Sequence, residues 1–283
     1  EKFHCWKKKG HGMMNLKSAI KRSCDVYFYE VARKLGVDRI SDTSKKFGLG
    51  KKVLQDFIEE RSGVVPNTRW KKKFIGKNWY LGETLHSGIG QGYFQSTPLQ
   101  LCLMTAQLAN GGFEIQPRLI FDKKSNNLKN YLDYKNSNPD SSLPIDILAS
   151  DFNLKPLFRN QENINFIKDA MFSSTNEPGG TSYGSRIDNK KFRFAGKTGS
   201  SQVKRFTEAQ REAEVKQKDL KYEDRDHALF IAFAPYDSPK YAISVVVEHG
   251  GSGSKAAAPV AKEVIKKVLE RDQKRNVILN SFG

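Results

Sequence analysis

Cysteine is scarce: the 283-residue chain has 3, at Cys5, Cys24 and Cys102, which form no compact disulfide framework and no C-x-x-C pair. Long apolar runs are missing as well. The longest, His227 to Tyr236, is about half of the ~20 residues that a membrane-spanning helix needs, so no bilayer crossing is predicted within the chain. Acidic residues are in deficit, 31 against 48 Lys+Arg, which gives a net charge of +17 and a pI near 9.6. That balance favours anionic partners such as nucleic acid, a membrane surface or an acidic polymer. Yet zinc-finger, helix-turn-helix and aromatic ribonucleoprotein patterns are all absent. The basic residues form only short runs, Lys7 to Lys9 beside Trp6 and Lys71 to Lys73 beside Trp70. A solvated basic face is therefore expected, and nucleic acid is not expected as a partner. No internal repeat is found. The chain opens at Glu1 without a charged n-region and apolar h-region, so a signal or membrane anchor is expected upstream and the chain is read as a piece of a longer protein.

What is present is the composition of a globular protein, with 38% hydrophobic and 11% aromatic residues. A chain of ~300 residues buries roughly 75% of its unfolded surface, ample for a large core in one domain or two. Leu16 to Arg22 and Val26 to Leu35 read as two short helices, the second closed by Gly36, with Ser23-Cys24-Asp25 between them. Ile40 to Phe47 looks helical. Thr97-Pro98 opens a further helix with an N-cap and a proline in the first turn; Leu99, Cys102, Leu103, Ala106 and Ala109 form its expected buried stripe, and Gly111-Gly112 ends it. Residues 122–151 are rich in Asn, Ser, Asp, Lys and Pro without periodicity and read as a surface insertion.

Asn163 to Phe172 is a helical stretch, Glu177 to Gly184 a Pro/Gly turn and Phe192 to Val203 an extended run. His227 to Pro235 and Tyr241 to Glu248 read as a hairpin of strands joined by Tyr236-Asp237-Ser238-Pro239. Between the extended run and the hairpin, Arg205 to Asp226 carries 13 charged residues in 22, a solvated segment or, alternatively, a lid over a groove or a docking arm. Ala256 to Leu269 is amphipathic, with Val260, Val264, Ile265 and Val268 on the face expected to pack on the sheet and Lys262, Lys266 and Lys267 opposite.

The chemically loaded segment is Phe194-Ala195-Gly196-Lys197-Thr198-Gly199-Ser200-Ser201. A phosphate-binding loop would need a glycine five positions before Gly196, where Lys191 stands, and a helix after Lys197, where a strand is expected. The other reading is an active-site strand: a cation, a hydroxyl, a glycine beside which a peptide can lie, and another hydroxyl. S-x-x-K, S-D-N and K-T-G form the motif set of penicillin-binding proteins and class A β-lactamases. Lys197-Thr198-Gly199 matches the third, and Ser23-Cys24-Asp25 the second, with Asp in place of the usual Asn. Trp6-Lys7-Lys8-Lys9-Gly10-His11-Gly12, Ile58-Glu59-Glu60-Arg61-Ser62-Gly63, Gly88-Ile89-Gly90-Gln91-Gly92-Tyr93 and Phe233-Ala234-Pro235-Tyr236 extend the match from about Trp6 to Leu269. Together they resemble the transpeptidase domain of the class B penicillin-binding proteins, in the cell-elongation branch known as penicillin-binding protein 2, where the second motif commonly ends in Asp.

The resemblance implies an α/β fold of the α+β type, an antiparallel sheet flanked by helices. It implies a partial transpeptidase domain over residues 1–272 with a tail at 273–283. The strands that precede the nucleophile in that family would be missing, leaving an exposed sheet edge. It also implies a peptidoglycan D,D-transpeptidase that cross-links stem peptides through a serine acyl-enzyme and is acylated by β-lactams. Its setting would be the periplasm, behind an inner-membrane anchor outside this chain, beside an elongation-complex glycosyltransferase. No cofactor is implied for the chemistry. A serine carboxypeptidase or β-lactamase-like hydrolase on the same fold, and a non-catalytic peptidoglycan- or β-lactam-binding domain, are the alternatives.

By the same resemblance, Ser23 relays a proton to the leaving amine, or else merely caps the helix from Val26. Asp25 accepts from the substrate amide or from a lysine base, or else serves the helix macrodipole. Lys197 brings positive charge to the substrate carboxylate and lowers the pKa of the base. Thr198 and Ser200 bind that carboxylate by their hydroxyls, Gly199 admits the peptide, and the backbone N–H of Ser200 forms half of an oxyanion hole. The S-x-x-K nucleophile lies tens of residues before the second motif in the family, and only 22 residues precede Ser23 here. Ser18-Ala19-Ile20-Lys21 fits the pattern in letters, but Ser18 and Ser23 are five apart, roughly 500° of helical rotation, and a nucleophile on a separate helix is required. The chain alone is therefore expected to be inactive.

Cys5, His11 and Cys24 admit three readings: a disulfide, which an oxidising compartment permits, a structural zinc site completed by one upstream ligand, and packed thiols. Cys102 is expected in the core. His86, His227 and His249 have no ligand spacing and are read as structural.

Overall fold

The computed structural model describes residues 3–54, 57–119, 155–204, 210, 213 and 215–281. The surface insertion expected at 122–151 and part of the charged segment 205–226 lie outside them.

The first half of the chain is helical: α1 (Leu16–Arg22), α2 (Asp25–Leu35), α3 (Val37–Lys46), α4 (Thr68–Ile75), α5 (Leu81–Gly88) and α6 (Pro98–Ala109). Local chemistry sets the boundaries. Asn15 opens α1 through a reciprocal capping box with Ser18, and Thr97 opens α6 through another with Gln100, just ahead of Pro98. After α7 (Gln161–Asn176) come three strands, β1 (Ala195–Ser201), β2 (His227–Ala234) and β3 (Tyr241–Val247), then α8 (Ala258–Ser281), which a π turn at Gly253–Ala257 introduces.

The strands form one antiparallel sheet in the order β1-β2-β3, with Lys197 opposite Ile231 and Ser200 opposite Ala228. Alternation divides β2 between two cores. Phe230 and Ala232 face α8 with Ala261, Ile265 and Leu269. Phe233 and the partly buried Ile231 face α6 and α7 with Leu108, Ala109 and Met171. A strand covered on both sides can be apolar throughout, which explains the unbroken run from Ala228 to Ala234. The β3 side chains are mostly half-exposed, as suits an edge strand. This is the antiparallel sheet flanked by helices that the resemblance implies.

Four details correct the sequence reading. On α8 the buried positions are Ala261, Ile265 and Leu269, while Val260 and Val264 are 47% and 43% exposed. The π turn sets this phase: an added Cβ on Gly253 would lie 2.4 Å from the Leu229 carbonyl and 2.5 Å from that of Gly199, so small residues press onto the sheet and the valines turn outward. The proposed tail at 273–283 continues α8 as far as Ser281. On α6, Cys102 is only half-buried, its thiol donating to the Ala242 carbonyl at 3.5 Å. Gln100 and Gln107 are buried instead, because their carboxamides tie down the Lys51, Ser62 and Phe47 carbonyls. Finally, Ser23 does not cap α2. It ends α1 in the left-handed conformation (φ +51°), and Cys24 holds the N-cap position without a side-chain bond.

Candidate active site

The open edge of β1 and the α1–α2 junction meet although 174 residues separate them. Lys197 Nζ donates to Ser23 Oγ at 2.5 Å and to the Thr198 carbonyl at 2.8 Å. Burial pushes the Lys197 ammonium down to about 8, with the Asp25 charge pulling the other way. Burial raises the Asp25 carboxyl, opposed by a hydrogen bond from the Trp6 backbone and by the Lys197 charge.

Trp6 straps the junction. Its indole Nε1–H donates to the Ser23 carbonyl at 2.7 Å and its backbone N–H to Asp25 Oδ2 at 2.9 Å. These bonds stabilise the left-handed turn that aims Ser23 at β1, a conformation that a non-glycine residue adopts only at a cost.

Along β1, Thr198 Oγ1 donates to Thr181 Oγ1 at 3.0 Å. Ser200 is exposed, and its carbonyl accepts from Gln91 Nε2 at 2.7 Å, which holds the strand's open edge. An added Cβ on Gly199 would meet Leu229 at 3.4 Å, an ordinary contact, so internal packing does not require glycine there. Gly196 is different: its Cβ would strike the Phe230 ring at 2.4 Å. Ser23, Asp25, Lys197, Thr198, Gly199 and Ser200 thus gather at one edge.

Ser18 and Lys21 are engaged elsewhere. The Ser18 hydroxyl belongs to the α1 capping box, donating to Asn15, and Lys21 pairs with Glu177 at 2.6 Å. Lys21 also holds the Glu177 carboxyl below its ordinary range.

Beside the junction, one ligand atom from each of Cys5, His11 and Cys24 lies within 4.8 Å of the others, with Cys5 Sγ 3.3 Å from His11 Nδ1. All three cysteines are free thiols, so no disulfide joins Cys5 and Cys24. Burial raises the Cys24 thiol; burial and the charges of Lys7 and Arg22 lower the His11 imidazole. His227 Nδ1 accepts from the His249 backbone N–H at 2.9 Å, which ties the start of β2 to the end of the hairpin.

Sequence reasoning quoted Trp6 and Gln91 as motif letters without a role, and read Thr181 only as part of a turn. The signal for Thr181 was a Gly-Gly-Thr step three residues after the hydroxyl-rich Ser173-Ser174-Thr175 run near the end of a helix.

A serine between two helices facing a lysine on the open edge of an antiparallel sheet, itself covered by helices on both faces, is the arrangement of the active-serine transpeptidase fold. The chain belongs to the penicillin binding protein transpeptidase domain family, which matches residues 1–266. It is 34% identical over 268 residues to the peptidoglycan D,D-transpeptidase MrdA of Salmonella typhimurium strain LT2, covering 95% of this chain and 40% of that protein. It is 35% identical over 271 residues to MrdA of Haemophilus influenzae, covering 96% and 39%. Among solved structures it is similar to penicillin-binding protein 2 of Helicobacter pylori in complex with MreC, at TM-score 0.75 and 32% identity over 95% of this chain and 43% of that one. It is also similar to Pseudomonas aeruginosa PBP2 in complex with WCK 5153, at TM-score 0.73 and 36% identity over 95% and 52%. The chain therefore spans about two fifths of the curated relatives it matches.

Proposed function

We propose that this chain is the larger part of the transpeptidase domain of a peptidoglycan D,D-transpeptidase acting in cell-wall elongation. The observation that carries this is the 2.5 Å contact between Lys197 Nζ and Ser23 Oγ beside an open strand edge bearing Thr198 and Ser200. The attacking serine and its lysine base are placed in a segment outside this chain, because Ser18 and Lys21 have other partners, Lys204 of the Ser201 to Lys204 match pairs with Asp224, and Ser252 of the Ser252 to Lys255 match bonds to Ser254. The residues present do the rest. The Lys197 charge and the Thr198 and Ser200 hydroxyls hold the terminal carboxylate of a stem peptide or of a β-lactam. Gly199 leaves room for the peptide backbone, and the Ser200 N–H stabilises the oxyanion, a donor whose loss costs ~10² to 10³ in rate. Ser23 passes a proton to the departing amine, and Asp25 accepts from the substrate amide. The domain works in the periplasm, held by an anchor outside this chain and beside a glycosyltransferase of the elongation complex.

The test is covalent labelling of the full-length protein by a fluorescent penicillin. Wild type is expected to label, and Lys197→Ala to slow labelling by about 100-fold or more, the range set by loss of one charged partner in a desolvated site. Undiminished labelling of the variant would remove Lys197 from the site.

Cys5, His11 and Cys24 fit a structural zinc ion with one further ligand. Zn–S of about 2.3 Å and Zn–N of about 2.0 Å at tetrahedral angles separate such ligands by about 3.5 Å, close to the 3.3 Å between Cys5 and His11. Zinc would brace the loop that carries Ser23 and take no part in the chemistry. Protein purified without chelator should contain about one zinc per chain; a content far below that refutes the site.

A further inference from the structure

Behind the contact between Ser23 and Lys197 runs a file of hydroxyl groups for which the proposed chemistry has no use. Thr181 stands at its head. Glycine places it there: Gly179 sits at φ +81°, and an added Cβ on Gly180 would lie 2.2 Å from the Ser174 carbonyl, so only glycine lets the turn press onto the last turn of α7. The Thr181 N–H donates to the Lys21 carbonyl at 3.1 Å, which ties the same turn to α1.

The Thr181 hydroxyl oxygen consequently lies 3.0 Å from Thr198 Oγ1, 3.2 Å from Ser174 Oγ and 3.5 Å from Ser23 Oγ. A threonine hydroxyl has one proton and two lone pairs, so these three partners saturate it. One distribution of protons satisfies the whole file. Lys197 donates to Ser23; Ser23 and Thr198 donate to Thr181; Thr181 donates to Ser174; Ser174 donates to Ser182 at 3.4 Å; and Ser182 ends the file on the Ser174 carbonyl at 3.1 Å. Ser174 and Ser182 are 0% and 1% exposed, so water does not compete for these bonds.

We propose that Thr181 is a positioning residue for acyl transfer: its hydroxyl joins the α1–α2 junction to β1 and sets the rotamers of Ser23 and Thr198. Ser23 then presents a lone pair to Lys197, and the Thr198 oxygen is held at the strand edge, its proton on Thr181 until an arriving carboxylate accepts it instead. Because this role rests on the transpeptidase reading, the experiment separates the two. The second-order rate of acylation by a fluorescent penicillin is measured for the full-length wild type, Thr181→Val and Thr181→Ser, with thermal unfolding followed in parallel. Valine keeps the shape and removes the hydroxyl; serine keeps the hydroxyl and removes the methyl.

The valine variant should acylate about 10- to 100-fold more slowly, the loss of one hydrogen bond within a charge-assisted network, and the serine variant should stay within about 3-fold of wild type. Valine at the wild-type rate, or serine as slow as valine, overturns the proposal, the latter because packing would then be the whole effect. Should the valine variant fail to fold, Thr181→Ala takes its place. Serine must then exceed alanine by about 10-fold or more, and equality refutes the role. A wild type that does not label at all refutes the transpeptidase reading instead.

Discussion

Lys197 carries the pH behaviour expected of the site. With its ammonium lowered to about 8 by burial, it is charged at neutral pH and loses its charge as pH rises through about 8. If that charge holds a carboxylate, acylation of the full-length protein should fall on the alkaline side of about pH 8 rather than near the 10.5 of an ordinary lysine. Lys197→Arg, which stays charged, should shift that limb upward even where its absolute rate is lower. A limb identical in both proteins would assign the titration to another group. The sign for stability is opposite. The unfolded chain binds the Lys197 proton more tightly than the native state does, so this residue's destabilising contribution is complete below about pH 8 and is relieved as pH climbs toward 10.5. The residues legible in the sequence were those whose chemistry is written in adjacent letters, Lys197-Thr198-Gly199 and Ser23-Cys24-Asp25. Thr181 and Gln91 were not, because their roles arise from hydrogen bonds that cross 17 residues to Thr198 and 109 residues to Ser200.

Among the elements, the π turn ahead of α8 bears on the site from behind. Gly253 rests on the backbones of β1 and β2 at Gly199 and Leu229. Gly253→Ala must displace one of them, and overpacking of this kind costs about 1–3 kcal/mol. Because Gly199 lies between the candidate carboxylate ligands, the same change should slow penicillin acylation of the full-length protein. Gly184, with nothing within 4 Å of an added Cβ, is the control: Gly184→Ala should leave both the denaturation midpoint and acylation near wild type. Equal behaviour of the two variants would show that β1 does not feel the π turn. Element existence was legible from periodicity for α1, α2, α6 and the hairpin. The buried face of α8 was not, because hydropathy ranks valine above alanine, whereas close approach to a sheet selects Ala257, Ala258 and Ala261 for their size. On α6 the same ranking hid Gln100 and Gln107, which are buried because loop carbonyls need donors.

For the whole molecule the question is whether these residues make a complete catalyst. In the proposed reading Lys197, Ser23, Thr198 and Ser200 bind a carboxylate, move a proton and stabilise an oxyanion, but acyl transfer also needs a nucleophile activated by a base. Within the chain S-x-x-K is matched at Ser18 to Lys21, Ser201 to Lys204 and Ser252 to Lys255; in the one that lies on an α-helix, the serine donates to Asn15 and the lysine pairs with Glu177. Activation by Lys21 would require breaking both sets of bonds and turning Ser18 toward β1. Residues 1–283 expressed alone are therefore expected to give no covalent adduct with a fluorescent penicillin under conditions in which the full-length protein labels. Peptide mapping of any adduct decides the matter. Label on Ser18 would place the nucleophile inside this chain and make the α1 serine the attacking group. No label here, together with label on an upstream S-x-x-K serine of the full-length protein, would assign this chain the carboxylate-binding and proton-relay half of the active site.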